Sequence, residues 1–151
     1  LRVNVSDNRL AYTDHPFEGD VNISKDFCEN QVEIITPVCD STDSLYETLS
    51  NINNHVKEVL NRQGEKLWNS SNPPRVLNES EIRIAKFEGA DKEKEQYREY
   101  LKTRYGVWKM LLSGIHYNFS FDRQAEEVLT NRFGTDKDSL YLKNLLMKKH
   151  L

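Results

Sequence analysis

Between Gly114 and Phe121 the residues alternate without exception: Ile115, Tyr117, Phe119 and Phe121 are apolar, and His116, Asn118 and Ser120 between them are polar. Successive side chains of a β-strand leave opposite faces of a sheet, so a period of two predicts a strand with one core face and one polar face. We place it at Leu112 to Phe121. The polar side is unusual, because a solvated strand face usually carries Lys, Glu or Thr. An imidazole, an amide and a hydroxyl in a row offer directed donors and acceptors suited to a ligand or a metal. An ordinary surface face is the alternative.

Local chemistry sets the other elements. Arg2 to Val5 and Arg9 to Tyr12 flank Ser6-Asp7-Asn8, whose short polar side chains tolerate turn geometry, which predicts a hairpin. Thr13 to Lys25, with Pro16 and Gly19 and no period, reads as a loop, and Phe27 to Thr36 as a strand ending at Pro37. Asp40 or Ser41 can cap a helix from about Thr42 to Leu60, since a side-chain oxygen there accepts from the free amides of a first turn. Leu45, Leu49, Ile52, Val56 and Val59 then line one face. Asn72-Pro73-Pro74 removes amide donors from the Gly64 to Glu79 connector. A second helix spans Lys92 to Tyr105 and stops at Gly106. A final helical pair, about Arg123 to Arg132 and from Ser139 onward, is separated by Gly134. Leu1 opens directly on a strand pattern and Leu142 to Leu151 runs in an apolar-basic pattern without a stop signal, so a fragment is expected.

The charges exclude some partners. With 21 basic and 24 acidic residues, for a formal charge of -3, no basic face attracts a polyphosphate backbone, and nucleic acid is not an expected partner. No apolar run approaches the roughly 18 residues of a membrane span, and the start lacks a signal-peptide layout. A cytoplasmic location is the expectation. Cys28 and Cys39 lack the spacing of a zinc or redox site and read as reduced, packed thiols.

Asp26 to Pro37 is a second stretch with chemistry in it. Strand alternation puts Glu29, Gln31 and Glu33 on one side, with Asp26 at the entry. Hard Mg²⁺ is usually held by a few carboxylates together with phosphate oxygens and water, so Glu33 near Asp26 suits a metal-nucleotide site. A solvated acidic edge is the alternative. Tyr97, Tyr100, Leu101 and Tyr105 fall three to four apart on the second helix and form either a small-molecule pocket wall or plain core. His15, in Asp14-His15-Pro16, reads as a solvated loop histidine outside the site, and His55 and His150 as structural.

Four segments together resemble the bacterial glutamate-cysteine ligases, including the form fused to an ATP-grasp domain. They are Thr13-Asp14-His15-Pro16; Asp26-Phe27-Cys28-Glu29-Asn30-Gln31-Val32-Glu33-Ile34-Ile35-Thr36-Pro37-Val38; Leu67-Trp68-Asn69-Ser70-Ser71-Asn72-Pro73-Pro74; and Tyr97-Arg98-Glu99-Tyr100-Leu101 through Tyr105-Gly106 to Ser113-Gly114-Ile115-His116-Tyr117-Asn118-Phe119-Ser120. Their order and spacing match, strongly to about Phe121.

The resemblance implies an α+β fold, part of a glutamine-synthetase-like domain whose curved, mostly antiparallel sheet is packed with helices. Residues 1–151 would be one partial catalytic domain, truncated at both ends and inactive alone. It implies ATP-dependent joining of glutamate to cysteine through a γ-glutamyl phosphate, the first step of glutathione biosynthesis, with Mg²⁺ (or Mn²⁺) and with ATP as co-substrate. Carried over by position, Asp26, Glu33 and His116 look like metal-site residues, with His116 also facing the phosphate. Asn118 looks like a neighbour in the same site, and Tyr97, Leu101 and Met110 match positions lining the cysteine pocket. The family commonly has Gln where this chain has Met110, and Trp108-Lys109-Met110-Leu111 departs from its pattern. Its Gly-x-Glu-x-Glu metal motif would precede Leu1. A related ligase using another amine, and a non-catalytic amino-acid or nucleotide-binding module, are the competing readings. Oligomeric state is not legible.

Overall fold

The computed structural model describes residues 1–87, 89 and 92–133, so Gly134, the helix expected from Ser139 and His150 lie outside the described residues. The chain divides into two compact units, Leu1–Gly114 and Ile115–Leu151.

Within the first unit, helix α1 (Thr42–Arg62) starts where expected. The Ser41 hydroxyl accepts from the Ser44 amide at 3.1 Å, one of the first-turn donors that have no partner inside a helix. Val56 and Leu60 are fully buried and Ile52 and Val59 pack beside them, while Leu49 remains 39% exposed. Gly64, at φ +73°, takes the left-handed position after the helix and turns the chain into β4 (Glu65–Leu67).

Strand β4 pairs antiparallel with β1 (Arg2–Asn4), with Arg2 opposite Leu67 and Asn4 opposite Glu65. The return limb of the expected hairpin is reduced to one bridge, Val3 with Leu10, flanked by Asn4 N to Arg9 O at 2.9 Å and Ala11 N to Arg2 O at 3.0 Å. A second antiparallel ladder joins β2 (Ile23–Lys25) to β3 (Val32–Ile34). The expected strand Phe27 to Thr36 thus shrinks to three residues, because residues 28–31 close into a turn held by Gln31 N to Cys28 O at 2.9 Å. Among the described residues the sheet structure is these two ladders, with α1 packed on β4 and β3, an α+β arrangement.

Helix α2 (Lys92–Tyr105) has the expected bounds, and Gly106 follows at φ +80°. Its tyrosines are not core: Tyr97, Tyr100 and Tyr105 are exposed, and Leu101 alone packs inward. A 3₁₀ turn, Trp108–Leu111, buries Leu111. The core has two clusters. Leu1, Leu10, Phe27, Cys28, Ile82, Val107 and Leu111 form one, and Phe17, Ile23, Val56 and Leu60 the other. Both cysteines are free thiols, Cys28 buried and Cys39 half-buried.

The expected strand Leu112 to Phe121 is not a strand in the structure. A strand's amides and carbonyls need a ladder partner, and among the described residues none pairs with it. Ile115 is 94% exposed, and Tyr117 and Phe119 are exposed as well. The alternation nevertheless survives locally, with ring centroids 6.4 Å apart for Tyr117 and Phe119 and 5.9 Å for Phe119 and Phe121. Helix α3 (Arg123–Phe133) follows in the second unit, its first turn satisfied by Asp122, whose carboxylate accepts from the Ala125 amide at 2.7 Å.

Candidate functional site

The β2–β3 register sets the geometry of the carboxylates. Ser24 lies opposite Glu33, and Asp26 stands two residues beyond Ser24. Asp26 follows the last ladder residue, Lys25, and is half-buried, while Glu33 is exposed on β3. Among the described residues neither carboxylate has a hydrogen bond or close ion pair, though the Asp26 charge acts on the Leu1 ammonium, opposing the lowering of its pKa by burial. Glu29, which strand alternation grouped with Glu33, is occupied: Oε1 lies 3.2 Å from Lys25 Nζ and Oε2 accepts from the Lys86 amide at 3.0 Å. No group of three or more His, Cys, Asp or Glu that could hold a metal ion occurs among the described residues.

The residues of the first unit that the sequence offers as a pocket wall lie on two consecutive elements. Tyr97 and Leu101 are one helical turn apart on α2, and Met110 sits in the 3₁₀ turn that follows, packed with Leu101 against the same core cluster. Arg98 ties α2 to the carboxylate hairpin, its Nε donating to the Asp26 carbonyl at 2.8 Å. Beside this hairpin, burial pushes the Cys28 thiol up to about 12, helped by the Asp26 charge, so it stays protonated and unreactive. His116 and Asn118 belong to the second unit, exposed on the segment that precedes α3.

His15 differs from its expected solvated state: it is 7% exposed, edge-on to Phe17 at 5.7 Å between centroids. Desolvation lowers its pKa to about 4, the Arg2 and Lys25 charges adding to the shift, against the Glu29 charge and a hydrogen bond to the Gln31 backbone. The sign of the consequence is fixed. The unfolded histidine titrates near 6.5 and takes up its proton first as pH falls. Its contribution to stability is therefore complete above pH 6.5 and is lost between there and about pH 4. Urea midpoints of the protein and of a His15→Gln variant at pH 7 and pH 4.5 check this: the variant's loss on acidification should be smaller, and equal losses would mean that His15 titrates normally. Phe17, buried two residues on, is the sequence signal that could have revealed the burial of His15.

Comparison with known proteins adds a family. The family model for glutamate-cysteine ligase matches residues 1–149. The glutathione biosynthesis bifunctional protein GshAB of Listeria monocytogenes serotype 4b is 43% identical over 150 residues, covering 91% of this chain and 19% of that protein. A glutamate--cysteine ligase of Clostridium acetobutylicum is 40% identical over 144 residues, covering 90% of this chain and 29% of its own length. Among solved structures, a bifunctional glutathione synthetase from Pasteurella multocida superposes with a TM-score of 0.80 at 30% identity over 95% of this chain and 19% of that one. The glutamate--cysteine ligase of Francisella tularensis, in complex with AMP, gives 0.74 at 32% over 89% and 28%. The chain therefore spans less than a third of these relatives. Because the match runs through both units and both ladders, the chain belongs to the glutamate-cysteine ligase family.

Proposed function

We propose that this chain is part of the catalytic domain of a ligase that joins the γ-carboxylate of glutamate to the α-amine of cysteine with ATP, and that the domain as a whole has a glutamine-synthetase-like fold. The observation that carries the reading is the family match over residues 1–149, which spans the hairpin region that bears Asp26 and the exposed Glu33. Asp26 and Glu33 would help hold Mg²⁺, which offsets repulsion between the glutamate carboxylate and the γ-phosphate and stabilises charge on the transferred group. A γ-carboxylate oxygen attacks the terminal phosphorus and ADP leaves. The cysteine amine then attacks the acyl carbon, loses its proton and expels phosphate. His116 and Asn118 supply hydrogen-bonding groups toward the phosphate, and Tyr97, Leu101 and Met110 wall the amine pocket, excluding water that would hydrolyse the activated acyl group. Glutamate, cysteine and ATP are the partners in this reading.

The test is ADP release by the full-length protein carrying this chain, with glutamate and Mg²⁺, with and without cysteine, and the product identified by mass. Cysteine-dependent release with γ-glutamylcysteine formed is expected. Release driven better by another amine keeps the acyl-phosphate chemistry and changes the acceptor, a result for which Met110 would be the first residue to substitute. No release under any amine rejects the ligase.

A further inference from the structure

Gln31 sits in the turn between β2 and β3 and is 1% exposed. A primary amide costs free energy to bury unless both of its ends are bonded, and here both are. Its Oε1 accepts from the Cys28 amide at 2.8 Å, and its Nε2 donates to the Met110 carbonyl at 3.0 Å, with the Ser113 hydroxyl at 3.5 Å. The partners on both sides of the amide are main-chain groups, one in the turn that leads to Glu33 and the other in the 3₁₀ turn that carries Met110. The bridge therefore joins the carboxylate hairpin directly to a wall of the amine pocket, across 79 residues of sequence. The Arg98 bond to the Asp26 carbonyl is a second strut between the same two regions.

A bond formation of the proposed kind requires the amine and the activated acyl carbon to be held about 3–3.5 Å apart, and small misplacements from remote changes cost turnover. We infer that Gln31 is a positioning residue: by bridging the Cys28 amide and the Met110 carbonyl it sets the acceptor pocket wall relative to the hairpin of Asp26 and Glu33. This rests on the ligase reading. The bridge touches no reactant, and Gln31 acts only through the main chain of Cys28 and Met110.

Gln31→Met keeps the side chain's length and removes both bonds, whereas Gln31→Glu keeps an acceptor for the Cys28 amide and removes the donor to Met110. In the full-length protein both variants should raise KM for cysteine about three- to tenfold, the effect of one lost hydrogen bond. KM for ATP and for glutamate should stay within about twofold of wild type. Gln31→Glu, in which the local turn bond survives, shows whether the link to Met110 alone is responsible. A purely structural role would lower the thermal midpoint and the yield of active protein while leaving all three KM values alike. Unchanged KM for cysteine in folded variants, or a parallel rise in all three, overturns the inference. A wild-type protein without cysteine-dependent turnover removes the ligase reading and this inference with it, a result distinguishable from failure of the variants alone.

Discussion

Glu65→Ala is expected to cost the first unit about 3–5 kcal/mol of stability, the size of effect seen when one partner of a buried ion pair is removed. Glu65 and Arg2 are both fully buried, and their contact is a two-point one, Arg2 Nε to Oε2 at 2.8 Å and Nη2 to Oε1 at 3.0 Å. The β1–β4 register explains how they meet: Glu65 is the diagonal neighbour of Arg2, two residues from Leu67, which faces it. Arg2 also donates to the carbonyls of Thr13 and Asp14, and the Thr13 hydroxyl donates to Glu65. These neutral groups do not neutralise a guanidinium, so removing Glu65 strands a cation in the interior. Urea unfolding followed by circular dichroism measures the loss. A midpoint within error of wild type would mean that water reaches the pair. The double variant Arg2→Met/Glu65→Leu should recover most of the loss, because matched apolar side chains in place of a buried pair are often neutral or better.

If the proposed ligase activity holds, Glu33→Gln is expected to lower turnover of the full-length protein on the order of 10²–10³-fold with its folding unchanged. Glu33 is exposed, and its carboxylate makes no hydrogen bond or ion pair among the described residues, so its loss should leave stability alone. Its charge would be missed only where a cation and phosphates have to be held. Glu29→Gln provides the contrast. Glu29 is spent on Lys25 and on the Lys86 amide, so that substitution should show as a modest drop in thermal midpoint and little change in the Mg²⁺ concentration needed for half-maximal rate. Thermal midpoints and Mg²⁺ titrations of both variants settle the matter. Full turnover by Glu33→Gln at low Mg²⁺ would take Glu33 out of the metal site.

The two contrasts also mark where sequence reading succeeds. Both long helices were legible because their signals are local: a serine cap and an apolar stripe for α1, and a terminal glycine for α2. The strands were harder, since β4 is three residues long and its partner is β1, with Leu67 facing Arg2 from the far side of α1, a pairing that no local pattern announces. Alternation suggested that Glu29, Gln31 and Glu33 share a face. Instead the chain turns at 28–31, which buries Gln31 and sends Glu29 to Lys25, and the register of a different strand, β2, sets Glu33 opposite Ser24. Alternation over Ile115 to Phe121 was real in its ring contacts but cannot by itself supply a ladder. His15 was misread because its place in the loop stretch Asp14-His15-Pro16 suggested solvent, whereas in the structure it is buried beside Phe17.

The β1–β4 ladder has a kinetic side. Helix α1, 21 residues between its two strands, can form in about a microsecond from local contacts. The ladder has to wait until the chain on both sides of that helix has closed into a loop, an entropic cost met before any pairing is gained. Pairing that arrives late contributes little to the folding transition state and much to the barrier against leaving the native state. The buried Arg2 and Glu65 would then govern how long the first unit stays folded far more than how fast it folds, and damage there would shorten its lifetime before it slowed its assembly.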